Sequence, residues 1–345
     1  MTSACRRDQQ RVNSLPFTAA LQDGIRLVAV ICTLFRTLIV NGGFWTVLTV
    51  AGIVSLSPVT ARLDKVNIAH RGASGYAPEH TLAAYRLAME QGADYVEQDL
   101  AVTKDGALIC LHDDSLERTT NVEEIFPDRV TTDSGGRKRW LAADFTLAEI
   151  KRLDAGSWYG STFAGERVPT WDEAVGLVWG RAGMYPELKT PALYRSRNVD
   201  MVEIFARSVR VRKQDGAVTG SARPPLVLQS FDEEAVRALA TALPRVPRTL
   251  LIGDKTAAAR WLSSASTVRE VASFASGIGP AKQIVESQPQ IVAWAHAAGL
   301  TVTPYTFRSG QTGRFADVQA EMRFFLYDLG VDALFTDNPD KFPRK

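Results

Sequence analysis

The chain has 345 residues, 46% hydrophobic, 23% charged and 9% aromatic, a composition that excludes disorder, collagen-like repeats and coiled coil. Lys and Arg number 40 against 38 Asp and Glu, so no basic excess calls for nucleic acid and no polybasic tail calls for anionic lipid. Of the three cysteines, Cys5 and Cys32 fall in the first sixty residues, and Cys110 lies in the apolar run 107–111. It reads as a small buried hydrophobe, and neither a disulfide framework nor a cysteine metal site is possible.

Residues 1–61 read as an address. They hold five Arg, no Lys and two acids, which leaves 35 bases against 36 acids in the rest of the chain. Positions 38–56 carry no charge, and Val59-Thr60-Ala61 ends the run on small residues. Basic flank, apolar core and small-residue exit form a secretory signal pattern, which makes the mature protein exported, periplasmic or secreted. About 20 apolar residues also suffice to cross a bilayer, so an outward-facing membrane anchor is the alternative. Asn41-Gly42-Gly43 weakens that alternative.

From residue 66 onward short β-rich runs alternate with helical patterns. The runs are 66–70, 94–100, 183–189, 226–230, 248–252, 276–279, 301–307 and 331–336. Helical patterns cover 81–91, 232–242, 254–263, 281–297 and 314–329. Thr146 with Glu149, and Thr170 with Glu173, have the spacing of capping boxes. Eight strands with intervening helices predict one α/β domain over 62–345, a closed parallel (β/α)8 TIM barrel. Residues 120–165 break the rhythm and are predicted to be an insertion over one barrel mouth.

The polar residues cluster where such strands end, and the carboxyl ends of barrel strands form the working face. His70-Arg71-Gly72 closes the first run: a proton carrier near neutral pH, a guanidinium fork for phosphate, and a glycine for the turn. Glu97 and Asp99 stand two apart, so both carboxylates share one strand face. Inside a barrel such a pair repels unless a cation lies between, and hard oxygen ligands suit Ca2+ or Mg2+. The tight turn at Lys104-Asp105-Gly106 forces 98–103 and 107–112 to pair antiparallel. Counting back from the turn sets residue 98 opposite 112, which returns His112 to the level of the carboxylates. Glu187 and Lys189 share a face of the next strand, a third carboxylate beside a point charge for phosphate. Two histidines for acid and base work, a divalent cation and two basic side chains point to metal-assisted phosphodiester cleavage. Among the other two histidines, His80 follows Glu79 near this cluster, and His296 falls in a helical stretch and reads as structural.

At these residues the sequence resembles the glycerophosphodiester phosphodiesterases. The resemblance is carried by IAHRGASGYAPEHTLAAYRLAMEQGADYVEQDLAVTKDGALICLHDDSLERTTNV, YPELKTP, LQSFD and GVDALFTDNPD. GADYVEQDL, FPDR, YPELK, GIGP and PYTFRS are similar to the periplasmic, calcium-dependent bacterial branch. One departure is Pro78-Glu79-His80-Thr81, which has His where many members have Asn. The resemblance implies a TIM barrel with an insertion, and hydrolysis of small glycerophosphodiesters to sn-glycerol 3-phosphate and an alcohol. It implies His70 and His112 as the acid–base pair, and Glu97, Asp99 and Glu187 as ligands of a divalent cation, Ca2+ before Mg2+. Arg71 and Lys189 match phosphate-holding positions, and Glu79 matches a glutamate near the substrate. A lipid-acting phospholipase on the same barrel, and a non-catalytic binding module, are the alternatives. The second should have lost a histidine or a carboxylate, and none is missing.

Overall fold

The computed structural model describes residues 64–212 and 225–344. The leader expected over 1–61 lies outside these residues, and among them no helix is long and apolar enough to cross a membrane.

The strands in chain order are β1 (Val66–Ala69), β2 (Tyr95–Val102), β3 (Leu108–Cys110), β4 (Thr131–Thr132), β5 (Lys138–Arg139), β6 (Gly183–Leu188), β7 (Leu228–Ser230), β8 (Arg248–Ile252), β9 (Gly277–Pro280), β10 (Thr301–Val302) and β11 (Ala333–Thr336). Eight of them run parallel in the order β10-β9-β8-β7-β6-β2-β1-β11, with β3 attached antiparallel to β2. The gap between the ends of this row is closed by single bonds. The Phe307 amide donates to the Phe335 carbonyl at 2.8 Å, and the Asp337 amide to the Phe307 carbonyl at 3.0 Å. The result is a (β/α)8 barrel. Its strands are almost wholly buried, as a parallel sheet covered by helices requires.

Local chemistry sets most element boundaries. Thr81, Asp200, Asp232, Asp254 and Asp317 each cap a helix by accepting from a backbone amide three residues on. Both expected capping boxes form, at Thr146 with Glu149 and at Thr170 with Glu173. The helical pattern over 281–297 is two helices, Lys282–Ser287 and Gln290–Ala297. Pro289 between them has no N–H to give the first helix. The pattern over 314–329 starts only at Val318 and passes into a π-turn at Phe324–Asp328. The strand expected over 301–307 ladders at Thr301–Val302 alone, because Pro304 cannot donate, and pairing resumes as single bridges at Tyr305 and Phe307. Three helices not predicted, Pro191–Ser196, Met201–Val211 and Ala265–Val271, complete the outer ring.

Period two decides what fills the barrel. Tyr95, Glu97 and Asp99 climb the inner face of β2, and Tyr185 and Glu187 climb β6 beside them. Tyr95, Tyr185, Ile68 and Phe335 form an apolar floor, with the Tyr185 and Phe335 rings edge to face at 5.1 Å. A Cβ on Gly183 would lie 2.3 Å from the Tyr95 ring, so this floor needs glycine there. Above the floor, toward the carboxyl ends, the filling changes from aromatic to ionisable. Between β3 and β6, the segment predicted as an insertion carries short helices and the β4–β5 hairpin. Its Tyr159 comes near enough to Asp337 that burial and that carboxylate together raise its phenol pKa.

Candidate active site

The chain leaves β1 through His70, Arg71 and Gly72. Gly72 has φ +84°, and a Cβ there would meet the backbone of Ala84 at 2.8 Å, so only glycine lets the loop lie against the first helix. This loop doubles back, with the His80 amide donating to the Arg71 carbonyl at 3.1 Å. The Arg71 amide donates to Glu97 Oε2 at 2.7 Å, and its guanidinium reaches Glu79 Oε1 at 3.1 Å and Asp99 Oδ2 at 3.4 Å. The 3.4 Å contact to Asp99 is made by Nε, which is buried and has no hydrogen bond beyond this ion pair.

Glu97, Asp99 and Glu187 gather in one patch. Asp99 and Glu187 are register partners on β2 and β6, and Glu97 is one inward position below Asp99. They are 1%, 1% and 6% exposed. Lys189 Nζ lies 2.9 Å from Glu187 Oε1 and 3.8 Å from Asp99 Oδ1. Burial, and then the neighbouring carboxylates, raise Glu97 well above the usual carboxylate range and push Glu187 up to about 8. Burial also disfavours ionisation of Asp99, but Lys189 and the hydrogen bond with His80 outweigh it and hold its pKa well below that range. These three oxygen donors fit a hard divalent cation, which would let all three ionise at once. The tightest grouping among the described residues is His80, Glu97 and Asp99, with one ligand atom of each within 4.8 Å of the others.

The two histidines are held alike. His70 Nδ1 is 2.7 Å from Asp337 Oδ1, and Asp337 Oδ2 is 3.2 Å from Arg308 Nε. His112 Nδ1 is 2.6 Å from Asp113 Oδ1, and the other oxygen of Asp113 accepts from Arg118 Nε. In each case a carboxylate tied to an arginine engages Nδ1 and leaves Nε2 for a ligand. Arg118 also grips Glu79 with both terminal nitrogens, at 2.6 and 3.0 Å. A continuous charged chain therefore runs Arg71–Glu79–Arg118–Asp113–His112. Register arithmetic placed His112 well: Leu100 faces Cys110, and the Leu111 amide donates to the Asp99 carbonyl at 2.9 Å.

One cavity of about 430 Å³ is lined by His70, Arg71, Glu97, Asp99, His112, Glu187 and Lys189 together. Glu79 does not line it; it stands behind Arg71 and Arg118. His296 lies elsewhere, paired with Asp332 at 2.9 Å. The cavity wall opposite includes Gln229, Phe231, Lys282, Tyr305 and Arg308. Sequence reasoning gave none of these a role, nor Asp113, Arg118 and Asp337. LQSFD, PYTFRS, the Asp after His112 and TDNPD contain most of them and were the available signal.

Burial, helped by Arg71 and opposed by Asp337, lowers His70 from 6.5 to about 4. The unfolded chain takes up this proton as pH falls through 6.5, and the native state resists until about 4. Stability linked to His70 therefore falls as pH falls across that window. Urea unfolding at pH 4.5 and 7 should show a smaller pH difference for His70→Gln than for the wild type; equal differences would contradict the assignment.

Fold and site together define a TIM-barrel hydrolase. Residues 70–341 match the glycerophosphoryl diester phosphodiesterase family. A glycerophosphodiester phosphodiesterase of Bacillus subtilis (strain 168) is 32% identical over 287 residues, covering 81% of this chain and 85% of that protein. One from Haemophilus influenzae is 30% identical over 330 residues, covering 80% of this chain and 88% of its own length. The solved structure of an Oleispira antarctica phosphodiesterase, in complex with the product sn-glycerol-3-phosphate, aligns with a TM-score of 0.60 at 30% identity, covering 81% of this chain and 95% of that one. The chain belongs to the glycerophosphoryl diester phosphodiesterase family and is a phosphoric diester hydrolase.

Proposed function

We propose that the enzyme hydrolyses water-soluble glycerophosphodiesters, such as glycerophosphocholine and glycerophosphoethanolamine, to sn-glycerol 3-phosphate and the headgroup alcohol. The observation that carries this is the pairing, in one cavity, of two carboxylate-anchored histidines with three buried carboxylates and two cationic side chains. The relative bound to sn-glycerol-3-phosphate supports the glycerol side of the substrate.

Glu97, Asp99 and Glu187 would hold a divalent cation, Ca2+ before Mg2+, whose chemistry there is to offset phosphate charge and ease deprotonation of a nearby hydroxyl. Arg71 and Lys189 hold the phosphate oxygens. The substrate carries a hydroxyl on the carbon next to its phosphoester oxygen, already at high effective concentration toward phosphorus. His70 is the base: neutral at physiological pH and held through Nδ1, it presents a bare Nε2 to that hydroxyl. The hydroxyl oxygen bonds to phosphorus as the headgroup oxygen leaves, and His112 gives that oxygen a proton. Water then opens the cyclic 1,2-phosphate with the histidines in exchanged roles. His112 is the more exposed of the two, 30% against 13%, which suits the side where alcohol departs and water enters.

A coupled assay for glycerol 3-phosphate, run across several headgroups with and without chelator, tests the reading. Release that chelator abolishes and Ca2+ restores is the expected result; full activity in excess chelator would overturn the cation. We place the mature enzyme outside the cytoplasm, on the apolar run and its small-residue exit, and N-terminal sequencing of exported protein should begin near residue 62. An intact Met1 on membrane-bound protein would favour the anchor instead.

A further inference from the structure

We propose that His80 is a positioning residue that orients Asp99 for the cation, through a hydrogen bond whose direction is fixed from behind by Tyr85. The inference rests on the cation reading above. His80 is 3% exposed, with Nε2 2.8 Å from Asp99 Oδ2 and Nδ1 3.0 Å from the Tyr85 hydroxyl. A carboxylate only accepts, so Nε2 carries the hydrogen. Nδ1 is then a bare acceptor, and the Tyr85 hydroxyl must donate to it. Tyr85 is itself fully buried, and the neighbouring Cys110 thiol donates away from it, to the Thr170 carbonyl, so the phenol hydrogen is free for Nδ1 of His80. Three buried groups, Tyr85, His80 and Asp99, thus have one consistent arrangement of hydrogens, ending in a single donor aimed at Asp99 Oδ2.

The same arrangement decides between two roles. His80, Glu97 and Asp99 are close enough to hold a metal ion. Both ring nitrogens of His80 are spent, however, one on Asp99 and one on Tyr85, so no lone pair faces the carboxylates. The imidazole stands behind the ligand as an outer partner that fixes its orientation. The backbone confirms that the placement is built in. His80 sits at φ +54°, a left-handed conformation that His, Asn and Asp tolerate better than other side chains. With Asn here, the left-handed turn would survive but the amide would end short of Asp99.

The test uses the full chain, stripped with chelator, with Ca2+ titrated calorimetrically and Mn2+ as a paramagnetic probe. His80→Asn keeps the backbone and loses the reach, and should weaken Ca2+ binding roughly 10–100-fold, the usual range for an outer partner. His80→Gln, whose amide reaches as far as Nε2, should recover binding to within a few-fold. Tyr85→Phe removes one hydroxyl, keeps the packing and frees the ring to adopt the other tautomer, and should weaken binding several-fold. Pulsed EPR of the Mn2+-loaded wild type should show no directly coordinated imidazole nitrogen. Wild-type affinity in both His80→Asn and Tyr85→Phe overturns the inference, and so does strong imidazole coupling to Mn2+. If the wild type binds neither Ca2+ nor Mg2+, the cation reading falls as well, which separates the two failures.

Discussion

Replacing His112 with alanine should lower the rate of glycerol 3-phosphate release by roughly 10²–10⁴-fold, the usual worth of a positioned proton-transfer group. His70→Ala should do the same. The effect is large because each ring is pre-oriented: Asp113 and Asp337 engage Nδ1 at 2.6 and 2.7 Å, and Arg118 and Arg308 hold those carboxylates in turn. Asp113→Asn and Asp337→Asn should therefore lower kcat with a smaller change in KM, since they disturb ring orientation and tautomer and leave the phosphate contacts in place. A diester analogue lacking the 2-hydroxyl separates the two chemical routes. If internal attack operates, the analogue is a poor substrate. If it is cleaved as fast as the natural diester, the histidines activate water directly.

Glu187→Gln should give the second large effect. Taking away one oxygen charge from the cluster should cost several kcal/mol of transition-state stabilisation, or about 10³-fold in rate, with a matching loss of Ca2+ affinity. Folding stability is the discriminating readout. A structural buried ion pair loses roughly 3–5 kcal/mol when one partner is removed. Here Lys189 keeps Asp99 at 3.8 Å, and Glu187 is a group that burial and Asp99 already hold protonated up to about 8. In the cation-free protein at neutral pH, Glu187→Gln should unfold within about 1 kcal/mol of wild type, because a neutral amide replaces a largely neutral acid. Severe destabilisation would make Glu187 a structural partner of Lys189 rather than a functional group.

What was legible in the sequence follows the range of the interactions involved. Strand alternation, helix caps and the β2–β3 register depend on neighbours within a few residues. Counting across one tight turn was enough to bring His112 level with Asp99. Period two was enough to put Glu97 and Asp99 on one face, and Glu187 with Lys189 on another. The split at Pro289 and the early end of β10 before Pro304 were written locally too, but apolar periodicity masked them. The second tier of the site was not legible. Asp337 reaches His70 across 267 positions of sequence, and Arg308 meets Asp337 only after the last strand has docked. Glu79 reads as a substrate contact on its match to a family glutamate; Arg118, thirty-nine positions further on, holds it behind the cavity lining. His80 was near the cluster in any reading, but its aim at Asp99 comes from a left-handed turn that no periodicity encodes.

The Asp337–His70 contact straddles the seam where the first strand meets the last. Val66 pairs with Ala333 and Ala69 with Thr336, so the two halves of this dyad are contributed by opposite ends of the barrel's chain. During synthesis His70 emerges early and waits, without its carboxylate, until the last strand of the barrel has been made. A truncated, stalled or C-terminally clipped chain retains every cation-facing carboxylate and both histidines, yet lacks the group that engages Nδ1 of His70. If His70 serves as the base, full hydrolytic competence is tied to completion of the barrel, and a copy lacking the last strand should be a poor diesterase even where its remaining strands have assembled.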